Sequence, residues 1–187
     1  MAKVLVLLAE GFEELEAVTV IDVLRRAQIE VVTAGLTDGA ITSARQIRIV
    51  PDTTIDTVKD DESFDMLILP GGMPGTENLA KDNRVREIVT KMYNKGKYTT
   101  AICAAPYVLS VAGVLAQKKA TSYPSFQDKL NARSVITDEM VVIDGKVVTS
   151  QGPATALEFS YILVELLKDK ETANNIANAM LYKRTNS

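Results

Sequence analysis

Apolar positions along this chain follow two rhythms, and the two alternate. Lys3-Val4-Leu5-Val6-Leu7-Leu8 is a nearly unbroken apolar run, the pattern of a strand covered on both faces. Residues 9–12 interrupt it with a turn. From Glu13 to Ala27 the spacing becomes helical, with Leu15, Val18, Ile21, Val23 and Leu24. Acids crowd the first turn of that segment and Arg25 and Arg26 its last, both complementary to a helix macrodipole. Ile29 to Ala34 reads as a second strand closed by Gly35, so the opening of the chain predicts one βαβ unit.

The alternation continues. Ile47 to Val50 predicts a short strand, and residues 52–63 a polar loop with a short helical piece. Phe64 to Leu69 is another buried strand, running into the turn-rich Pro70-Gly71-Gly72-Met73-Pro74-Gly75. A helix is predicted from about Asp82 to Asn94. Tyr98 to Ile102 is β-branched and strand-like, and a helix follows to about Ala112. Ala120 to Tyr123 suits a short strand. Asp144-Gly145, between two β-branched runs, is the signature of a two-residue hairpin turn. The pattern ends with a helix opening near residue 153 and reaching about Lys168, then one from Lys170 to about Leu181. The tail, residues 183–187, is expected to fray.

Strands alternating with helices predict an α/β fold, with a mostly parallel sheet, helices on both faces and a small β-hairpin. The 187 residues, 47% hydrophobic, suit a single domain over residues 1–187. Ligands of such folds bind beyond the carboxyl ends of the strands. Four turns fall at such ends, at 9–14, 70–75, 103–106 and 150–154, and are expected to converge on one crevice.

Charge and composition narrow the chemistry. The net charge is −3, with no basic stripe, which argues against nucleic acid as main partner. The apolar start is too short for a membrane span and lacks the features of a signal peptide, so neither a membrane nor export is expected and the cytoplasm is the default. One cysteine makes no internal disulfide. There is no histidine, so this chain supplies no Cys-His or Ser-His-Asp triad, and no zinc site of the usual type.

That one cysteine, Cys103, sits on a predicted strand-to-helix corner, followed by Ala104, Ala105 and Pro106. Proline suits a first helical turn. A thiol at a helix N-terminus has its pKa lowered and its thiolate favoured. A lone cysteine is otherwise a small apolar filler; the corner tips the reading towards a nucleophile. Pro70 to Gly75 lacks both Gly-x-Gly-x-x-Gly spacing and a following Lys-Ser/Thr, so it reads as a turn requiring positive φ rather than a phosphate cradle. Its free N–H groups, with that of Ala104, suit an oxyanion. Glu13 and Glu14 read as solvated partners of the helix dipole. If Glu16 faces the crevice it meets Cys103, and repulsion between two anions then raises the thiol pKa or keeps Glu16 protonated. Tyr107 and Tyr123 read as partly buried tyrosines, and Lys129, Arg25 and Arg26 as surface charge.

The ordered motifs Gly11-Phe12-Glu13-Glu14-Leu15-Glu16, Asp22-Val23-Leu24-Arg25-Arg26-Ala27, Leu69-Pro70-Gly71-Gly72, Ala101-Ile102-Cys103-Ala104-Ala105-Pro106 and Thr149-Ser150-Gln151-Gly152-Pro153 resemble the DJ-1 branch of the DJ-1/ThiJ/PfpI superfamily, over about residues 3–181. The resemblance implies a flavodoxin-like core and a homodimer whose interface includes the first helix. It implies an oxidation-prone nucleophile at Cys103, with Glu16 protonated against it and the N–H groups of Gly72 and Ala104 as oxyanion donors. Gly71, Tyr123, Pro153 and Arg45 would line the substrate pocket. Activities attributed to the branch are cofactor-free glyoxalase and protein deglycase action on methylglyoxal-type aldehydes or glycated protein, with chaperone and oxidative-stress roles. A redox sensor whose Cys103 becomes a sulfinate is the alternative.

Three departures qualify the likeness. Ala104 replaces the histidine that PfpI-type proteases carry after the cysteine, which argues against proteolysis. Tyr123 stands where some relatives have histidine. Gln151-Gly152-Pro153-Ala154 lacks the arginine that gives others an anion site, leaving Arg45 as the matching anion partner. Gln28 also replaces a helix-ending glycine; a left-handed conformation there implies strain of roughly 1 kcal/mol.

Overall fold

In the computed structural model, which describes residues 1–58 and 63–184, the alternating pattern becomes a seven-stranded sheet. Its strands are β1 (Lys3–Leu8), β2 (Glu30–Gly35), β5 (Thr53–Thr54), β6 (Met66–Leu69), β7 (Tyr98–Ile102), β10 (Val141–Asp144) and β11 (Val147–Ser150), in the order β10-β11-β7-β6-β1-β2-β5. All neighbours are parallel except the β10–β11 hairpin at one edge. Two small sheets lie outside it. One pairs β3 (Ile41–Thr42) antiparallel with β4 (Arg48–Ile49), and the other pairs β8 (Lys119–Ala120) parallel with β9 (Ser134–Val135).

The period-two alternation of β1 explains the layers. Val4, Val6 and Leu8 enter one core with α1 (Glu14–Arg26), α6 (Ala156–Leu167) and α7 (Lys170–Ala179). Leu5, Leu7 and Ala9 enter a second core with α2 (Gly75–Lys81), α3 (Asn83–Asn94) and α4 (Pro106–Val111). Strands with both faces covered must be apolar, and β1 from Val4 to Leu8 and all of β6 are both apolar and buried.

Within α1 the buried residues include Ala17, Val20, Val23 and Leu24, whereas Leu15 (61% exposed) and Val18 (47%) face outward. Helix α1 ends on the strained alternative: Gln28 takes φ +55° in a left-handed conformation, and Ile29 N–H bonds back to Leu24 C=O (3.1 Å).

Several expectations shift. Helix α2 lies where only a turn and connection are predicted, because Pro74 and Gly75 start a helix rather than end a loop. Of Ala120 to Tyr123 only Ala120 is strand; Tyr123 instead precedes the short helix α5 (Pro124–Gln127), whose first residue is Pro124. The hairpin turn centres one residue later than Asp144-Gly145: Asp144 pairs with Val147, so Gly145 and Lys146 form the loop, with Gly145 at φ +65°. The helical piece in residues 52–63 is a 3-10 turn, Ile55–Thr57, and residues 59–62 of that stretch lie outside the described residues.

The chain end also departs from expectation. Arg184 is 8% exposed and its guanidinium meets Glu158 (3.5 Å), Glu165 (3.1 Å) and Asn174 (3.0 Å), which ties the segment onto α6 and α7. Residues 185–187 lie outside the described residues.

Candidate active site

The strand order reverses beside β1: the chain moves to β2 on one side and later to β6 on the other. Loops leaving two such strands at their carboxyl ends diverge and open a crevice between them. Here those loops are residues 9–13 and 70–75, with the end of β7 alongside. Glu13 N–H bonds to Gly71 C=O (2.8 Å) and Gly75 N–H to Gly11 C=O (3.2 Å), stitching the first two loops together. Close approach dictates the glycines. A Cβ on Gly72 (φ +92°) would lie 2.3 Å from Glu13 N, and one on Gly71 would lie 2.7 Å from Cys103 Cβ and 2.8 Å from Glu16 Oε2.

Cys103 occupies the corner between β7 and α4. Its φ is +65°, a conformation that costs a non-glycine residue about 1–3 kcal/mol and persists only where neighbours hold it. They do: Cys103 N–H bonds to Ser150 C=O (2.9 Å), Tyr123 N–H to Cys103 C=O (2.8 Å), and Ala105 N–H to Ile102 C=O (3.0 Å). Pro106 then opens α4, which frees the Ala104 N–H to face the sulfur. The Gly72 N–H reaches the same sulfur from the end of β6.

Glu16 lies on the buried face of α1 at 0% exposure. Its Oε2 accepts the Gly71 N–H at 2.7 Å, and its carboxyl hydrogen-bonds the Cys103 thiol. Burial pushes Glu16 up to about 7, against the Cys103 and Gly71 hydrogen bonds that pull it down; the charge of Glu13 adds to the rise. Cys103 is also raised, by burial first and then by the charge and hydrogen bond of Glu16, against the Ala104 and Gly72 N–H groups. The expectation of a lowered thiol pKa is therefore corrected: a half-buried sulfur facing a carboxylate loses more than two backbone donors return. Glu16 opposes ionisation of the thiol, whereas the thiol's hydrogen bond favours the Glu16 carboxylate; Glu16 therefore ionises first, and the proton left between the pair is the thiol's.

Of the residues expected at the site, the fold brings Glu16, Gly71, Gly72, Cys103 and Ala104 into one contact set. Tyr123 sits at the rim, 46% exposed, its ring 3.3 Å from where a Cβ on Gly152 would be. Pro153 follows Gly152 and begins a 3-10 turn, Pro153–Thr155. Arg45 is exposed on the loop between β3 and β4, and its guanidinium donates to Ala44 C=O (3.3 Å) rather than to Cys103 or Glu16 among the described contacts.

Glu14 departs from the solvated reading. It is 7% exposed, with Oε2 lacking a hydrogen-bond partner. The start of α1 is drawn inward, with Ala44 N–H bonded to Phe12 C=O (2.8 Å) just before it. The sequence reading gave Gly71 to the pocket but missed its N–H as the donor that orients Glu16; the Gly-Gly pair after a strand was the available signal.

Among the described residues no group of three or more His, Cys, Asp and Glu is arranged to hold a metal ion. No helix among them is long and apolar enough to cross a membrane.

A flavodoxin-like α/β sheet carrying a strained cysteine elbow, with a buried glutamate against its sulfur, defines a class of cysteine proteins. Residues 2–166 match the DJ-1/PfpI family, and the chain belongs to it. It is 42% identical over 179 residues to "Protein dj-1beta" of Drosophila melanogaster, covering 95% of each chain. The crystal structure of that protein superposes with a TM-score of 0.94 at 41% identity, covering 97% of this chain and 98% of the other. Identity is 36% over 168 residues, 89% of each, to "Glutathione-independent glyoxalase DJR-1.2" of Caenorhabditis elegans. The structure of "Toxoplasma gondii DJ-1, oxidized" gives a TM-score of 0.92 at 38% identity, covering 97% of this chain and 99% of that one. The chain spans 42% and 46% of the length of DJ-1 homologs B and A of Arabidopsis thaliana.

Proposed function

We propose that this protein is a DJ-1-type enzyme of carbonyl and oxidative stress defence, a cofactor-independent glyoxalase acting on methylglyoxal and related α-oxoaldehydes. The observation that carries this reading is the Glu16–Cys103 contact, framed by the N–H groups of Gly71, Gly72 and Ala104. The glyoxalase name of the C. elegans relative supports it.

The reaction follows from the shared proton. Passing it to Glu16 leaves a thiolate, which attacks the aldehyde carbon. A C–S bond forms, and the carbonyl oxygen becomes an alkoxide held by the Gly72 and Ala104 N–H groups. The protonated Glu16 neutralises that oxygen, giving the hemithioacetal and regaining its carboxylate. Glu16 then removes the proton from the former aldehyde carbon. The electron pair passes to the adjacent ketone, whose oxygen takes up the hemithioacetal hydroxyl proton by way of an enediol; Glu16 returns its proton to that second carbon as the first oxygen becomes the thioester carbonyl. The result is a thioester of lactate. Water cleaves its C–S bond, releases lactate and restores the thiol. Glu16, with a pKa of about 7, is available as acid and as base at neutral pH. The same nucleophile would serve deglycase action on glycated protein.

A second reading rests on the same donors. A sulfinate at Cys103 would find the Gly72 and Ala104 N–H groups and a protonated Glu16 around its oxygens, which makes a redox sensor or chaperone switch without turnover. A homodimer is part of either reading. Leu15, Val18, Ile47 and Val50 are 47–75% exposed on α1 and around β4, an apolar surface that a second copy would cover.

The test is lactate formation from methylglyoxal by wild type, Cys103→Ala and Glu16→Gln, with an enzyme-free control. Turnover that disappears in both variants supports the enzyme. Wild-type rates in Glu16→Gln refute the proton shuttle. Rates equal to the control in all three, with a mass gain of two oxygens after mild peroxide, favour the sensor.

A further inference from the structure

Tyr107 stands just beyond the Cys103 corner on α4, its N–H bonded to Ala104 C=O (3.1 Å), yet its ring serves a different cavity. That cavity, of about 410 Å³, opens between α2, α3, α4 and the turn after α5. None of Glu16, Gly71, Gly72, Cys103 or Tyr123 lines it. Its volume falls among those of small-molecule sites, roughly 300–1,000 Å³.

The floor is apolar and aromatic. Ala80 and Phe126 are buried, and Tyr107 meets Phe126 edge to face at 6.0 Å and 63°. The rim is cationic, carrying Lys81, Arg86 and Lys129 against a single acid, Glu77. Glu77 is already paired with Lys81 at 3.3 Å. Among the described residues the Arg86 guanidinium donates only to neutral acceptors, Ala80 C=O (2.9 Å) and the Asn83 amide, so its charge is oriented but not neutralised by them. Lys129 holds its ammonium 4.3 Å above the Phe126 ring and has no carboxylate partner among the described residues. Two uncompensated cations therefore overhang an aromatic floor.

We propose that this cavity is a second binding site, separate from Cys103, for a small aromatic anion: a planar ring system bearing one carboxylate or comparable acid. An inorganic anion would leave the apolar floor wet. A neutral arene would leave both cations unmatched. A ring laid against Tyr107 and Phe126, with its acid between Arg86 and Lys129, satisfies both halves of the cavity.

Isothermal titration calorimetry with sodium 2-naphthoate, beside 2-naphthylmethanol as the neutral control, tests this. The expected result is one naphthoate per chain, bound at least about tenfold more tightly than the alcohol. Affinity should fall by about tenfold or more in Lys129→Glu, and binding should vanish in Val111→Trp, which fills the mouth of the cavity. Cys103→Ala should bind as wild type does, so the outcome is independent of the proposed catalysis. Equal affinity for acid and alcohol, loss of binding in Cys103→Ala, or absence of binding to wild type would overturn the proposal. Lys129 is exposed, so Lys129→Glu decides the matter should Val111→Trp fail to fold; undiminished binding in Lys129→Glu also refutes it.

Discussion

Replacing Arg184 by methionine removes a guanidinium from a place with almost no water. The side chains of Arg184 and Glu158 are 3% and 2% exposed, with Nε and Oε1 3.5 Å apart. Methionine keeps much of the volume but leaves the Glu158 carboxylate in the core without its cation. Breaking one side of a buried pair costs about 3–5 kcal/mol. Loss of the Glu165 contact adds little, since that side chain is 38% exposed and such pairs contribute about 0–1 kcal/mol. With a urea m-value of about 2 kcal/mol/M, the midpoint should fall by about 2 M. The double variant Arg184→Met/Glu158→Leu should recover most of it, because two apolar side chains replace the pair at little net cost. Urea unfolding followed by circular dichroism, at one fixed protein concentration, measures both. A single variant within about 0.3 M of wild type, well below the shift expected for a buried pair, would show that the pair does not hold the chain end. A double variant no more stable than the single would show that charge is not the reason.

Two further outcomes follow from the site. Glu16 is raised from 4.5 to about 7, so between those values the folded state binds more protons than the unfolded one, and stability falls as pH rises through that window. Denaturant unfolding at pH 5 and pH 8 should show wild type losing up to about 3 kcal/mol from this group, a loss absent from Glu16→Gln; parallel curves for the two would refute the assignment. Gly71→Ala would place a Cβ 2.7 Å from Cys103 Cβ and 2.8 Å from Glu16 Oε2, and should reduce methylglyoxal turnover about 100-fold by displacing the pair, read as kcat/KM against wild type.

Much of this was legible because burial on both faces writes itself into composition. The apolar runs of β1 and β6 announce a covered parallel sheet, and the helical spacing after Glu13 announces α1. Gln28 was readable only conditionally, by likeness to relatives with a helix-ending glycine, and the structure meets that condition with φ +55°. The direction of Glu16 was not readable, because spacing along α1 leaves open which side of the helix meets the crevice. The helix end alone gives the wrong direction for the sulfur, whereas the conditional reading, in which Glu16 meets Cys103 and raises the thiol, gives the right one. A local rule about helix N-termini says nothing of a carboxylate folded in from 87 positions earlier in the chain. The buried Arg184 was illegible in the same way, since a polar tail looks solvated until Glu158 and Asn174 are seen waiting for it.

The thiol at Cys103 draws its surroundings from three places: an N–H from the end of β6, another from the start of α4, and a carboxyl from α1. Only the second, Ala104, is near the thiol along the chain. An extended or collapsed chain therefore presents an ordinary, solvent-exposed cysteine, and the special one exists only while sheet and helix are docked. The surroundings of the sulfur are thus an internal gauge of the fold: a molecule whose β6–β7 pairing or α1 seat is damaged gives up the burial and the carboxyl that hold its thiol protonated.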